Sequence, residues 1–268
     1  MKNKATQGRA CSPSAPQRVA DADGSVIRPY LIVLLCSLLW TANLVAQETR
    51  APLLKFDFTV MATDRLRYVA YVQLKPEARA KPRPTAADFD IIPLRVNSQG
   101  RSSLYHYEGP PPLRFVTTRG KGEALAVDRV VASMTGPAST ERTLVILVPA
   151  EEGAFGLLAI DDGKSAFPAG HARLLNLSGL PVSGTLDDYR FELPPAPRAS
   201  APRRLGGSVR VGVAYQRQSR PVAVFDQSLS VSENERLLLV FLAPFRDGAD
   251  LRTRVVRDQV RVPLPETP

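Results

Sequence analysis

Cysteine is nearly absent from this chain. Only Cys11 and Cys36 occur, and both lie at or before the single long apolar run near the start. Whatever follows that run has no thiol, which excludes disulfide bracing, thiolate catalysis and cysteine-based zinc or iron–sulfur sites. The one tryptophan, Trp40, lies inside the same run. Histidine is limited to His106 and His171, with no His-x-x-x-His or His-Glu-x-x-His spacing, so the usual zinc ligand sets are missing. There is no Gly-x-Ser-x-Gly elbow and no Gly-x-x-x-x-Gly-Lys phosphate loop. No stretch after residue 50 carries a sustained 3.6-residue apolar period, which argues against helices in the folded part.

The apolar run, Tyr30 to Ala46, has the length and flanks of an export signal. A secretory signal needs a cationic lead, an apolar core of roughly 7–15 residues and a small residue at the cut. Arg28, Leu31 to Trp40 and Ala46 supply these, although Leu44 occupies the position where a small residue is preferred. A spanning helix needs about 20 apolar residues, and Thr41 and Asn43 interrupt this one. A cleaved signal is therefore the expectation. The alternative is a single-pass anchor with the C-terminal part outside, the protein then touching the membrane through this segment alone. Residues 1–29 read as a disordered lead or as an early-annotated start, with Val26 as an alternative first residue. Cys36 follows Val33-Leu34-Leu35, which lacks the small residue lipoprotein processing requires.

Proline is abundant at 24 residues, clustered between apolar runs. Because proline is poorly tolerated in helices and central strands, Pro110-Pro111-Pro112 and Pro194-Pro195 mark connections. Net charge is +9, of which residues 1–46 contribute five basic and two acidic side chains, leaving +6 beyond them. That mild arginine excess would favour anionic surfaces, although a soluble arginine-rich surface accounts for it equally well. The densest basic group, Arg198, Arg203, Arg204 and Arg210, lacks the interleaved aromatics of a single-strand binder, so no nucleic acid is expected.

What fills residues 51–268 is strand after strand. Leu66, Tyr68, Ala70, Val72 and Leu74 share one face at a spacing of two, the period-2 mark of a half-buried strand. Phe89 to Val96, Leu104 to Tyr107, Leu113 to Thr117, Ala172 to Leu177 and Tyr189 to Leu193 are further short strands. Ala124 to Met134 reads as either a strand or a short helix. Glu141 to Pro149 and Glu235 to Pro244 are continuous apolar runs, suiting central strands covered on both faces. The expectation is an all-β antiparallel β-sandwich protein of two related lobes, 51–165 and 166–268. A proline- and arginine-rich linker or long loop is expected near 194–207.

Three echoes suggest duplication of a unit. Glu141-Arg142 with its apolar run and Pro149 resembles Glu235-Arg236 with its run and Pro244. Asp161 follows the first run at a distance similar to that of Asp258 after the second. Tyr105 to Pro111 resembles Tyr189 to Pro195.

Paired acids worth weighing as general acid/base or calcium groups are Asp161-Asp162 and Asp187-Asp188. Both sit at turn residues, where aspartate commonly bonds its own backbone. Asn176-Leu177-Ser178 matches a glycosylation acceptor. His106 falls between Tyr105 and Tyr107 and should face away from them.

Arg101-Ser102 with Tyr105-His106-Tyr107-Glu108-Gly109-Pro110, and Phe167-Pro168-Ala169-Gly170 with Leu175-Asn176-Leu177-Ser178, resemble a group of uncharacterised exported bacterial β-rich proteins. The resemblance covers most of 95–245. It implies export and β-sandwich structure, and it transfers no catalytic residue. The expected role is a non-catalytic binding or scaffolding protein of the periplasm or cell envelope, with a protein or envelope polymer as partner and no cofactor or metal. The candidate contact surface is Tyr105, Tyr107 and Arg101 with the loop 110–112. The alternative is an envelope hydrolase or carbohydrate-binding domain using Asp161 or Asp162.

Overall fold

A computed structural model describes residues 52–64, 68–96, 100–120, 125–150, 153–217, 220–246 and 248–260. The apolar run 30–46 and the lead before it lie outside the described residues. Residues from Arg50 onward form one compact unit.

That unit is all-β, as the alternation predicts, and built as two lobes. The first holds β1 (Leu54–Ala62), β2 (Val69–Leu74), β3 (Phe89–Pro93), β4 (Tyr105–Gly109), β5 (Leu113–Arg119), β6 (Ala126–Met134), β7 (Thr143–Pro149) and β8 (Phe155–Asp161). The second holds β9 (His171–Leu177), β10 (Val182–Leu186), β11 (Tyr189–Leu193), β12 (Arg198–Ala199), β13 (Arg203–Arg204), β14 (Ser208–Arg217), β15 (Arg220–Ser230), β16 (Glu235–Leu242) and β17 (Arg252–Gln259). The segment left open between strand and helix is therefore a strand, β6. Two three-residue 3-10 turns, Pro76–Ala78 and Ala86–Asp88, stand between β2 and β3.

Each lobe is a pair of sheets with the same strand order. In the first lobe the sheets run β4-β1-β7-β8 and β3-β2-β5-β6. In the second they run β12-β9-β16-β17, with β13 also on β9, and β11-β10-β14-β15. Pairings are antiparallel except β1 with β7 and β9 with β16, which are parallel. Both parallel pairs lie at the centre of their sheets, where covered faces suit them.

The two central sheets face each other, so the sheets stack four deep. Val145 and Leu147 of β7 point into an aromatic-rich core with Phe56, Phe58, Tyr71, Tyr107 and Phe115. Leu144 and Ile146, one residue out of phase, point the other way onto Leu238, Val240 and Leu242 of β16. Leu237, Leu239 and Phe241 of β16 then complete the core of the second lobe. A strand with both faces covered has no polar side to present, which is why 144–147 and 237–242 are continuously apolar. All eight residues of β16 are buried.

The equivalence of the lobes reaches single hydrogen bonds. Ser102 donates its N–H to the Val60 carbonyl and accepts the Val60 N–H on Oγ, each at 2.8 Å. Ser200 does the same with Leu174, at 2.8 and 3.0 Å. The proline-rich segment 194–207 is therefore no free linker. Its prolines forbid a regular ladder, yet Arg198 to Arg204 runs along β9 in two short pieces and takes the place β4 holds beside β1. The likeness between 105–111 and 189–195 does not match places in the fold. β4 flanks β1 in an inner sheet, whereas β11 edges the outer sheet of the other lobe.

The motif residues have structural jobs. Tyr107 is 2% exposed, and its hydroxyl donates to the Pro110 carbonyl at 2.6 Å. Its ring closes over Gly109, where a Cβ would stand 2.8 Å from the phenolic oxygen. Phe191 covers Gly184 in the same way, and a Cβ there would also collide with the Gly212 carbonyl. Asn176 is fully buried. Its Nδ2 donates to the carbonyls of Leu180 and Pro194 at 2.8 and 2.7 Å, and its Oδ1 accepts from Ser178 N–H and Oγ. An amide so committed has no nitrogen to offer a glycan, which removes the acceptor reading.

Candidate functional site: an ionic centre between the lobes

The polar groups that converge do so where the inner sheets meet. Arg142 stands just before β7 and is aligned with Asp162 just after β8, whose N–H donates to the Arg142 carbonyl at 2.9 Å. Arg236 in β16 is paired in register with Asp258 in β17. These are the same positions in the two lobes, brought face to face by the stack.

Each arginine reaches both acids. Arg142 Nη2 lies 2.9 Å from Asp162 Oδ2 and 3.3 Å from Asp258 Oδ2. Arg236 Nη2 lies 3.7 Å from Asp162 Oδ2 and donates to Asp258 Oδ2. Arg101, from the segment before β4, adds a third guanidinium at 2.6 Å from Asp162 and 3.4 Å from Asp258. Arg236 Nη1 also donates to the Asp162 and Phe167 carbonyls. A fourth guanidinium, Arg173 of β9, donates to the carbonyls of Asp161 and Ala166 at 2.6 and 2.7 Å. The buried ring of Phe167 lies among them, 4.7 Å from the Arg173 guanidinium carbon and 5.0 Å from that of Arg236. Cations against an aromatic face gain from its negative quadrupole, most when desolvated.

Burial sets the electrostatics. Arg236 and Asp162 are each 1% exposed. Burial pushes the Asp162 carboxyl up, opposed chiefly by the charges of Arg101 and Arg142. Burial likewise pulls Arg173 down, against the charges of Asp162 and Asp161. The terminal carboxylate oxygens are shared unevenly: Asp162 Oδ2 takes the guanidiniums, while Asp162 Oδ1 has no hydrogen-bond partner.

Of the sequence candidates, the fold brings Arg101 and Asp162 together and separates the rest. Asp161 keeps a turn role, its Oδ1 accepting the Gly163 N–H at 2.9 Å. Asp187 does likewise with the Arg210 N–H at 2.7 Å, from a left-handed backbone (φ 54°) that aspartate tolerates. Tyr105 and Tyr107 belong to the first lobe's aromatic core, packed on Phe58 and Phe56 respectively. Tyr107 has no free face for the contact surface expected of it, because its ring is buried on the inward side of β4, whereas Tyr105 is half-buried. His106 faces outward as the alternation requires, its Nδ1 2.7 Å from Asp57 Oδ1. Burial pushes the phenols of Tyr71 and Tyr107 up to about 12.

Sequence reading missed Arg142, Arg236 and Asp258 as members of one site. The repeated Glu-Arg before each apolar run was the signal that could have found them.

A cleft of about 530 Å³ opens at this centre, lined by Arg142 and Arg236 and by Lys164, Glu141, Ser103 and Gln259. Glu141 turns to Lys164 N–H and Ser165 Oγ, at 2.8 and 3.2 Å. The Lys164 backbone bond chiefly holds its carboxyl below the usual range. Among the described residues, no group of three or more histidine or acidic side chains is arranged to hold a metal ion. No protein-family model and no curated protein matches this chain.

Proposed function

We propose that this chain is an exported protein of the bacterial cell envelope that acts by binding or scaffolding, not by catalysis. The observation that carries the reading is the condition of Asp161 and Asp162. Asp162 is buried under three guanidiniums, and Asp161 is spent on a turn. A hydrolytic carboxylate must reach substrate or water; Asp162 is sealed off, and Asp161 holds its loop through the Gly163 N–H. What the molecule offers a partner is its outer surface. The edge strand β6 exposes Val127 and Val130, at 40% and 50%, on a nine-residue strand suited to accepting another strand.

Export rests on the run 30–46, cleaved as a signal or kept as an anchor. The common strand order and the matched Ser102 and Ser200 bonds further support descent of both lobes from one duplicated unit.

Fractionation with N-terminal sequencing of the mature chain tests export; uncut protein in the cytosol would overturn it. Photo-crosslinking from position 127 or 130 in intact cells tests the binding role. A discrete adduct is expected at either position and none from the second lobe's β11. Loss of a measurable hydrolytic activity in Asp161→Asn, with folding intact, would instead establish an enzyme.

A further inference from the structure

We propose that the cleft between the lobes is a binding site for a compact oxyanion of the phosphate class, held by Lys164, Arg142 and Arg236. This goes beyond the binding role above and does not depend on it.

The charge balance at the floor of the cleft is incomplete. Arg101, Arg142 and Arg236 converge on two carboxylates, Asp162 and Asp258, which leaves one positive charge over. Arg173 is a fourth guanidinium, its terminal nitrogens bound to neutral carbonyls, with Asp162 and then Asp161 the acids whose charge acts on it. The remaining acid of the cleft, Glu141, is turned to the Lys164 N–H and Ser165 instead of to a guanidinium. Charge in excess at a buried site is costly unless a counter-charge and its hydrogen bonds accompany it.

Donors are also in excess. The buried Nε–H of Arg236, which lines the cleft, has no hydrogen-bond partner. Arg142 is a quarter exposed, at the boundary between the buried centre and the open cleft. Lys164 stands exposed on the rim. A planar guanidinium fork and a mobile ammonium together make the donor set that oxyanions take. A volume of about 530 Å³ leaves room for a phosphate and for the group it is attached to. Because Arg142 and Lys164 come from the first lobe side and Arg236 and Gln259 from the second, a bound anion would tie the lobes together.

The test uses the purified mature chain with inorganic phosphate, against chloride at matched ionic strength. At about twentyfold excess over Kd, phosphate should raise Tm by about 4–7 °C. Lys164→Ala should keep the unliganded Tm and weaken phosphate binding about tenfold in calorimetry, since a charged hydrogen bond is removed. Arg142→Gln should weaken it further, and the distant surface change Lys55→Ala should leave it unchanged. Sedimentation with phosphatidate vesicles distinguishes the two sources of such a group. Binding there that free phosphate competes away assigns a lipid headgroup, whereas protection by free phosphate without sedimentation assigns a soluble anion. Equal effects of phosphate and chloride, or a phosphate response that survives both Lys164→Ala and Arg142→Gln, would overturn the site.

Discussion

The two lobes share one strand order but fill it differently. The first is packed with rings: Phe58 meets Tyr71 edge-on at 5.2 Å, and Phe56, Tyr105, Tyr107 and Phe115 lie around them. The second is mostly leucine and valine, with Phe191 stacked on Phe241 at 6.2 Å. Aligning the Ser102–Val60 and Ser200–Leu174 bonds places Phe58 opposite Ala172. One large side chain therefore stands where the other lobe has a methyl, with neighbours that compensate. Strand order is fixed by alternation and by where turns fall, whereas the identity of core residues need only close the volume.

The comparison can be broken first at Phe58. Phe58→Ala should cost about 3–5 kcal/mol, because its four aromatic neighbours cannot collapse into the space. Urea unfolding would show the loss as a lowered midpoint.

A second loss of about 3–5 kcal/mol is expected for Arg236→Met, which strands Asp162 and Asp258 beside fewer cations. Its positional equivalent Arg142→Met should cost only about 1–2 kcal/mol, since Arg142 is partly solvated. Equal effects on the unfolding midpoint would show that the centre is energetically symmetric despite its unequal burial.

The matched serines give a smaller and sharper test. Ser102→Ala and Ser200→Ala should each cost about 1–2 kcal/mol, the price of an N–H left unpaired. Bonded to different sheets and sharing no partner, they should add within about 0.5 kcal/mol in the double variant. A serine that proves silent would show that its lobe does not use this bond.

The last difference is one of pH. Asp88, the last residue of the first lobe's second 3-10 turn, is held at about 2, first by Lys81 at 2.5 Å and then by the Thr85 N–H. Its folded value lies below the unfolded one, so the unfolded state binds more protons between them. Its contribution is complete above about pH 4 and disappears as pH falls towards 2. Asp88→Asn should flatten that part of the stability profile, measured as unfolding midpoint against pH.

Much of the fold was legible in residues. The two Glu-Arg-led apolar runs became the strands covered on both faces, because only a strand with no solvent side tolerates unbroken hydrophobicity. His106 pointed outward because side chains in a strand alternate. The site was less legible. Asp162 was readable as an acid at a turn, but its partners Arg101 and Arg236 lie 61 and 74 residues away in sequence. Tyr105 and Tyr107 looked like interface aromatics because aromatic enrichment marks cores and contact surfaces alike.

By itself the sequence determined that the part beyond residue 50 is sheet and which two strands lie deepest. These follow from local alternation and from proline's missing donor, which need no knowledge of the fold. Only the tertiary structure decided that the lobes bury their inner sheets against each other and collect four arginines around two aspartates. Which charges meet depends on the stacking of sheets distant in the chain, and no local period records it.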